Sequence, residues 1–154
     1  MTRRMWMAVI SLAGLFIGIY LTLYHYGIIG TLACGVGSCE RVQTSRYSMF
    51  LGVPVATWGA GYYVLMLAIT MARIQPTLED SAGLTLATAV LATWGLIFTA
   101  WLNYLEGFVI HAWCEWCLGS AGLVVLLFLL ALLEWRDYRK GGVADLTGGE
   151  NIAD

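Results

Sequence analysis

Four long runs without a formal charge divide this chain: residues 5–39, 47–72, 81–105 and 116–133 contain no Asp, Glu, Lys or Arg. A helix needs about 20 apolar residues to cross a hydrocarbon core roughly 30 Å thick. The first run is too long for one crossing, so it should hold a helix followed by an uncharged extramembrane stretch. The pattern predicts spans over about 5–27, 56–74, 83–105 and 113–133, with an extramembrane loop over 28–55. Helix is the state these spans must adopt, because backbone polar groups in lipid have to be satisfied within the segment. The expected fold class is therefore all-α: an integral membrane bundle of four transmembrane helices with a capping loop at its outer face.

Composition narrows the picture further. Sixty per cent of the 154 residues are apolar and only 12% are charged, whereas a soluble domain usually carries about a quarter charged residues. A disordered chain would be poor in aromatics and rich in charge. The net charge of −2 and the single lysine also argue against nucleic-acid binding. Arg3 and Arg4 ahead of an apolar run could open a secretory signal. That run exceeds the usual core of about 7–15 residues and ends without a small-residue cleavage site, so a retained helix is expected. With four spans, Arg3, Arg4, Arg73, Arg136, Arg139 and Lys140 flank one side, and only Arg41 and Arg46 the other. The positive-inside rule then places both termini in the cytoplasm of a cell-membrane protein, with the 28–55 loop and the turn near 106–113 facing outward.

Other features have structural explanations. Gly14 and Gly18 in the first span, and Gly119, Ser120 and Gly122 in the fourth, are expected to allow close helix contact. Trp6, Trp58, Trp94, Trp101, Trp113, Trp116 and Trp135 fit an interfacial aromatic belt for the most part. Residues 141–154, rich in Gly and Asp, read as a disordered cytoplasmic tail.

The four cysteines fall in two pairs, Cys34-x4-Cys39 in the outer loop and Cys114-x-x-Cys117 at the outer end of the fourth span. Both pairs therefore sit at the same, oxidising face. Cys114 and Cys117 share one face of a helical turn and can form a disulfide. A cysteine at a helix N-terminus has its thiolate stabilised, with Glu115 opposing the effect. Two glycines between Cys34 and Cys39 give that loop the freedom to close a disulfide or swing a thiol. A redox relay fits these placements best. Two structural disulfides, or a zinc site of four thiolates, are the alternatives.

With these residues in view, the chain resembles the vitamin K epoxide reductase family, in its prokaryotic branch without a fused thioredoxin-like domain. The resemblance rests on Cys34-x4-Cys39, Val42-x-x-Ser45-x-Tyr47-Ser48, Gly52-Val53-Pro54 and Cys114-x-x-Cys117, in that order along the chain. In the separate DsbB family the close pair precedes the wide one. The resemblance implies a four-helix bundle around a quinone of menaquinone or ubiquinone type. Cys34 and Cys39 would be the shuttle pair and Cys114 and Cys117 the pair beside the quinone. Cys39 would form a mixed disulfide with Cys114, leaving Cys117 to meet the quinone ring.

The implied activity is quinone-dependent thiol–disulfide oxidoreduction, reoxidising a separate thioredoxin-like dithiol protein on the outer side and so promoting disulfides in exported proteins. Reduction of vitamin K quinone or its epoxide is the alternative enzyme reading, and a non-enzymatic membrane subunit the alternative class. The animal enzymes carry a Tyr where this chain has Ala121, and a quinone-contacting Asn where Val55 falls. The hydrogen bond to a quinone carbonyl must then come from elsewhere, with His111 and Trp58 as candidates; His111 could also supply a proton. Ser45 could bond the loop or stabilise a thiolate. Met49-Phe50-Leu51 should dip into the interface as a cap over the quinone site.

Overall fold

The computed structural model describes residues 3–78 and 81–148, the side chains of 142–148 excepted. Four helices are long and apolar enough to cross a membrane. The chain is a multi-pass membrane protein. The first helix, α1, covers Arg3–His25. A short helix α2 (Cys39–Gln43) lies in the following loop, and α3 (Val55–Ile74) and α4 (Ala82–Tyr104) come next. A widened π-helical turn over Leu105–Ile110 prolongs α4, and α5 runs over Glu115–Gly148. The expected spans and the helices agree to within a few residues at most ends, but α5 continues well past 133 and past Gly141, where a disordered tail was expected to start. Glycine in a helix costs about 1 kcal/mol without forbidding it, and Gly141 does not interrupt the element. Residues 149–154 of that expected tail lie outside the described residues.

Each long helix buries one stripe spaced three and four residues apart. On α1 it is Met7, Ser11, Gly14, Gly18 and Leu21; on α3, Tyr63, Met66, Thr70 and Arg73; on α4, Thr85, Thr88, Ala92 and Gly95; on α5, Val124, Leu127 and Ala131. Such a stripe keeps one face turned to the neighbours along the helix. Small residues let backbones approach: a methyl group on Gly14 would lie 2.2 Å from the Tyr63 ring, and one on Gly18 3.0 Å from the Ala60 backbone. Gly119 and Gly122 do not act this way. A methyl group on either would meet nothing within 4 Å, because both glycines are exposed on the outer surface of α5. Helix α1 packs most extensively on α3, and α4 on α5, whereas α3 and α4 touch sparingly.

At the end away from the cysteines, charge ties the bundle together. Arg73 is buried and donates to Glu134 at 2.6 Å and to Thr88 at 3.3 Å, while Arg4 reaches the other Glu134 oxygen at 3.2 Å. This cluster links α1, α3, α4 and α5. At the opposite end, Leu21, Leu32, Cys39, Val42, Ala112 and Cys114 form a second buried cluster. Between α2 and α3, a two-stranded antiparallel ribbon pairs Met49 with Pro54 and Phe50 with Val53. Its two-residue turn, Leu51 and Gly52, has positive φ at both positions, the geometry that matches the twist of a tight hairpin.

Candidate functional site

The first turn of α5 organises the cysteines. The Cys114 carbonyl accepts the Leu118 N–H at 3.0 Å, which makes Cys114 the residue that caps the helix. A cap side chain faces the free N–H groups of the first turn. The Cys114 thiol is accordingly held below its ordinary range. The main cause is the Cys117 side chain, helped by the backbone N–H groups of Cys117 and Trp116; burial and the charge of Glu106 oppose it. Lowering a thiol pKa in this way raises its thiolate fraction.

Cys34 and Cys39 are joined in a disulfide, while Cys114 and Cys117 are free. The loop between the joined pair lies against the free pair. Ser38 N–H donates to the Trp113 carbonyl at 2.9 Å, and Gly37 bridges to Cys114. Gly37 has φ of +99°, and a methyl group there would fall 2.4 Å from the Trp113 carbonyl oxygen, so only glycine suits this crossing. The two sulfurs of the disulfide are placed differently: Cys34 is half-buried near the surface, whereas Cys39 is fully buried in the same cluster as Cys114.

Glu106 is the acidic residue at the heart of this region. It is 4% exposed, and the π-helical turn directs it inward. Wide turns of this kind are common at functional sites. Its Oε2 accepts the Cys114 N–H at 3.3 Å, and it lines the same cavity as the Cys117 thiol. Gln43, at the end of α2, donates its side-chain amide to the Cys117 sulfur at 3.7 Å. Neither residue stood out in the sequence. The available signal for Glu106 was a single acid in an otherwise apolar stretch, eight residues before Cys114.

A cavity of about 230 Å³ is lined by residues of α1, α3, α4 and α5, and Cys117, Glu106 and Gln43 border it. Its walls include Trp58, Tyr62 and Phe98, with Asn103 and Ser120 among its polar groups. Phe50 from the ribbon sits beside the Trp58, Phe98 and Trp101 rings, with centroids 5.9–6.2 Å apart. An aromatic slot with a thiol and a few convergent polar groups fits a flat apolar ring.

The other site expectations distribute unevenly around this slot. Trp58 lines it, but its indole N–H is engaged by the Phe50 carbonyl at 3.2 Å. Ser45 also lines it, and its hydroxyl donates to the Val42 carbonyl at 2.8 Å. Ala121 is half-buried on α5 outside the lining; its neighbour Ser120 faces the cavity and binds the Tyr63 hydroxyl at 2.8 Å. His111 is exposed and ends the π-helical turn in a left-handed conformation, with φ of 52°, away from the cavity lining. Trp94 belongs to the middle of α4 rather than to an end, and it lines the cavity beside Phe98.

The sequence pattern of the vitamin K epoxide reductase family matches residues 5–132. The chain belongs to that family. The match reaches into all four bundle helices, ending within α5, and covers both cysteine pairs. The vitamin K epoxide reductase family is one of oxidoreductases, with disulfide and quinone redox chemistry in membranes, and its members use quinones together with a redox partner.

Proposed function

We propose that the protein is a quinone-linked thiol–disulfide oxidoreductase. It takes electrons from a separate thioredoxin-like dithiol protein and thereby promotes disulfide formation in exported proteins. The observation that carries this reading is the placement of four cysteines from the surface, through one buried cluster, to the cavity. Cys34 lies near the surface, Cys39 and Cys114 are buried in one apolar cluster, and Cys117 lines the cavity. Both termini are assigned to the cytoplasm and the cysteine end to the oxidising side of the cell membrane, in keeping with the distribution of arginines.

Each residue has a task on this path. A partner thiolate attacks Cys34, breaks the Cys34–Cys39 bond and releases Cys39 as a thiolate facing Cys114. Cys39 attacks Cys114 of an oxidised Cys114–Cys117 pair, and Cys117 departs with the electron pair. The partner's second thiolate attacks the partner's own sulfur in its bond to Cys34, which closes the partner's disulfide and frees Cys34 as a thiolate. Cys34 then attacks Cys39 of the Cys39–Cys114 bond, restoring the Cys34–Cys39 disulfide and leaving Cys114 and Cys117 reduced, the pairing found here. A quinone of menaquinone or ubiquinone type, held between Trp58, Tyr62 and Phe98, would accept two electrons and two protons. Glu106 is in position to receive the Cys117 proton as the Cys114–Cys117 disulfide forms, and Gln43 keeps the Cys117 sulfur at the cavity edge. His111, Trp58, Ser45 and Ala121 remain our proposed surroundings of the quinone, with Trp58 and Ser45 the two that line the slot.

The test is thiol-dependent quinone reduction by the purified protein. Turnover is expected with a small dithiol donor, and Cys117→Ala should abolish it. Full activity in that variant would remove Cys117 from the proposed route. A protein in which the cysteines only brace the loop would show no turnover at all.

A further inference from the structure

The dipeptide between Cys114 and Cys117 does more than set their spacing. Glu115 Oε2 accepts two consecutive backbone N–H groups of the disulfide loop, Gly35 at 2.9 Å and Val36 at 3.1 Å. Next to it, the Trp116 indole N–H donates to the Ala33 carbonyl at 2.7 Å, and its ring packs 5.1 Å from that of Tyr20. The Tyr20 hydroxyl in turn accepts the Ala33 N–H at 3.0 Å. The segment from Ala33 to Val36 is thereby held through side chains, while Gly37 and Ser38 are held through the backbone of Trp113 and Cys114. Successive N–H groups converging on one oxygen form a small anion-binding nest, and hydrogen bonds to an ionised acceptor are the stronger kind. The carboxylate is also favoured in the first turn of α5, where the helix dipole is positive.

We propose that Glu115 is a positioning residue for exchange between the two cysteine pairs: it latches the Cys34–Cys39 loop onto the turn that carries Cys114, and so sets Cys39 against Cys114. The inference rests on the relay described above and adds a residue to it. Thiol–disulfide exchange needs the attacking sulfur brought close to the disulfide it opens. The loop leaves α1 through a stretch with positive φ at Gly27 and carries a further positive-φ glycine at Gly37. Backbone freedom of this sort would let the Cys39 sulfur wander, and the latch removes it. In the exchange step the Cys39–Cys114 bond forms, the Cys114–Cys117 bond breaks, and the electron pair leaves on Cys117. Glu115 gains and loses no proton in that step.

The experiment measures how strongly Cys39 and Cys114 pair. In a Cys34→Ser, Cys117→Ser background these are the two remaining cysteines, and their disulfide can be equilibrated against reduced and oxidised glutathione. The protein–glutathione equilibrium gives the effective concentration of one sulfur at the other. With Glu115 intact the disulfide should form readily. Glu115→Ala should lower the effective concentration about tenfold or more, and Glu115→Gln, which keeps an acceptor oxygen of the same reach without the charge, should fall between. Effective concentrations within twofold of one another across the three proteins would overturn the latch. Failure of the disulfide to form even with Glu115 present would instead overturn the relay itself, so the two ideas fail separately.

Discussion

The Glu106 carboxylate accepts the Cys114 backbone N–H at 3.3 Å and lines the same cavity as Cys117, so one buried acid borders both members of the Cys-x-x-Cys pair. Burying a carboxylate is costly unless hydrogen bonds compensate it. The Cys114 N–H compensates it in part, on a carboxylate that borders the same cavity as the Cys117 thiol. Holding the turn and accepting a proton are separable tasks. Glu106→Gln retains an acceptor for the Cys114 N–H yet cannot take up a proton. Positioned acid–base groups contribute about 10²–10⁴-fold to rate. We therefore expect quinone reduction by Glu106→Gln to slow about a hundredfold with thermal unfolding little changed. Stopped-flow quinone absorbance and a melting curve on the same sample check both halves.

The side chain of Cys117 is the leading reason the Cys114 thiol titrates low. A lowered pKa extends the thiolate to more acidic solutions, and deleting the donor must move the midpoint upward. In Cys117→Ala the pH midpoint for alkylation of Cys114 should rise toward that of an ordinary cysteine. Cys117→Ser, which preserves a donor, should move it less. The Glu106 charge acts in the opposite sense, so Glu106→Gln should push the midpoint further down. Labelling across pH, followed by mass analysis of the Cys114 peptide, distinguishes the three directions. A midpoint unmoved in Cys117→Ala would assign the low value to the helix N-terminus alone.

The bundle was legible because charge is so scarce: gaps between Arg4, Glu40, Arg73, Glu106 and Glu134 bracket the helices almost directly. Close helix contact at Gly14 and Gly18 was legible too, since small residues three to four apart mark a close helix face, although nothing in the sequence names α3 as the partner. The same rule misled at Gly119 and Gly122, because a small residue facing lipid looks no different in sequence from one facing a neighbour. Glu106 was hidden by geometry. A regular helix continued from α4 gives no hint that a π-helical turn will rotate this acid inward. Gln43 was hidden by topology, since its contact with Cys117 spans 74 residues. Trp58 was expected as a hydrogen-bond donor to a quinone carbonyl; it lines the cavity, and no sequence pattern shows that the Phe50 carbonyl already engages its N–H.

Gly37 tests how tightly the disulfide loop must sit. Its left-handed φ and the 2.4 Å approach to the Trp113 oxygen leave no room for a side chain. Gly37→Ala would force the loop away from Cys114, which is fully buried beneath it. The bundle itself, built from the long helices, should survive. The expected result is faster alkylation of Cys114, about tenfold or more, since access to a buried group follows the population of locally opened states. Unchanged protection of Cys114 would mean that the loop adjusts without lifting.

Glu134 is the hub of the charged end, facing Arg73 at 2.6 Å and Arg4 at 3.2 Å. Removing one partner from a buried ion pair leaves the other uncompensated and costs about 3–5 kcal/mol, whereas replacing the whole pair by apolar groups can be neutral. Arg73, at 3% side-chain exposure, is the group stranded by Glu134→Leu. That single variant should be destabilised by roughly 3 kcal/mol. Adding Arg73→Met should recover much of the loss, although Arg4 would still lack its Glu134 contact. Because this cluster lies at the end of the bundle remote from the cysteines, the redox exchange rates of the folded fraction should stay the same. A double variant no more stable than the single one would show that Arg4, rather than Arg73, is the cation that depends on Glu134.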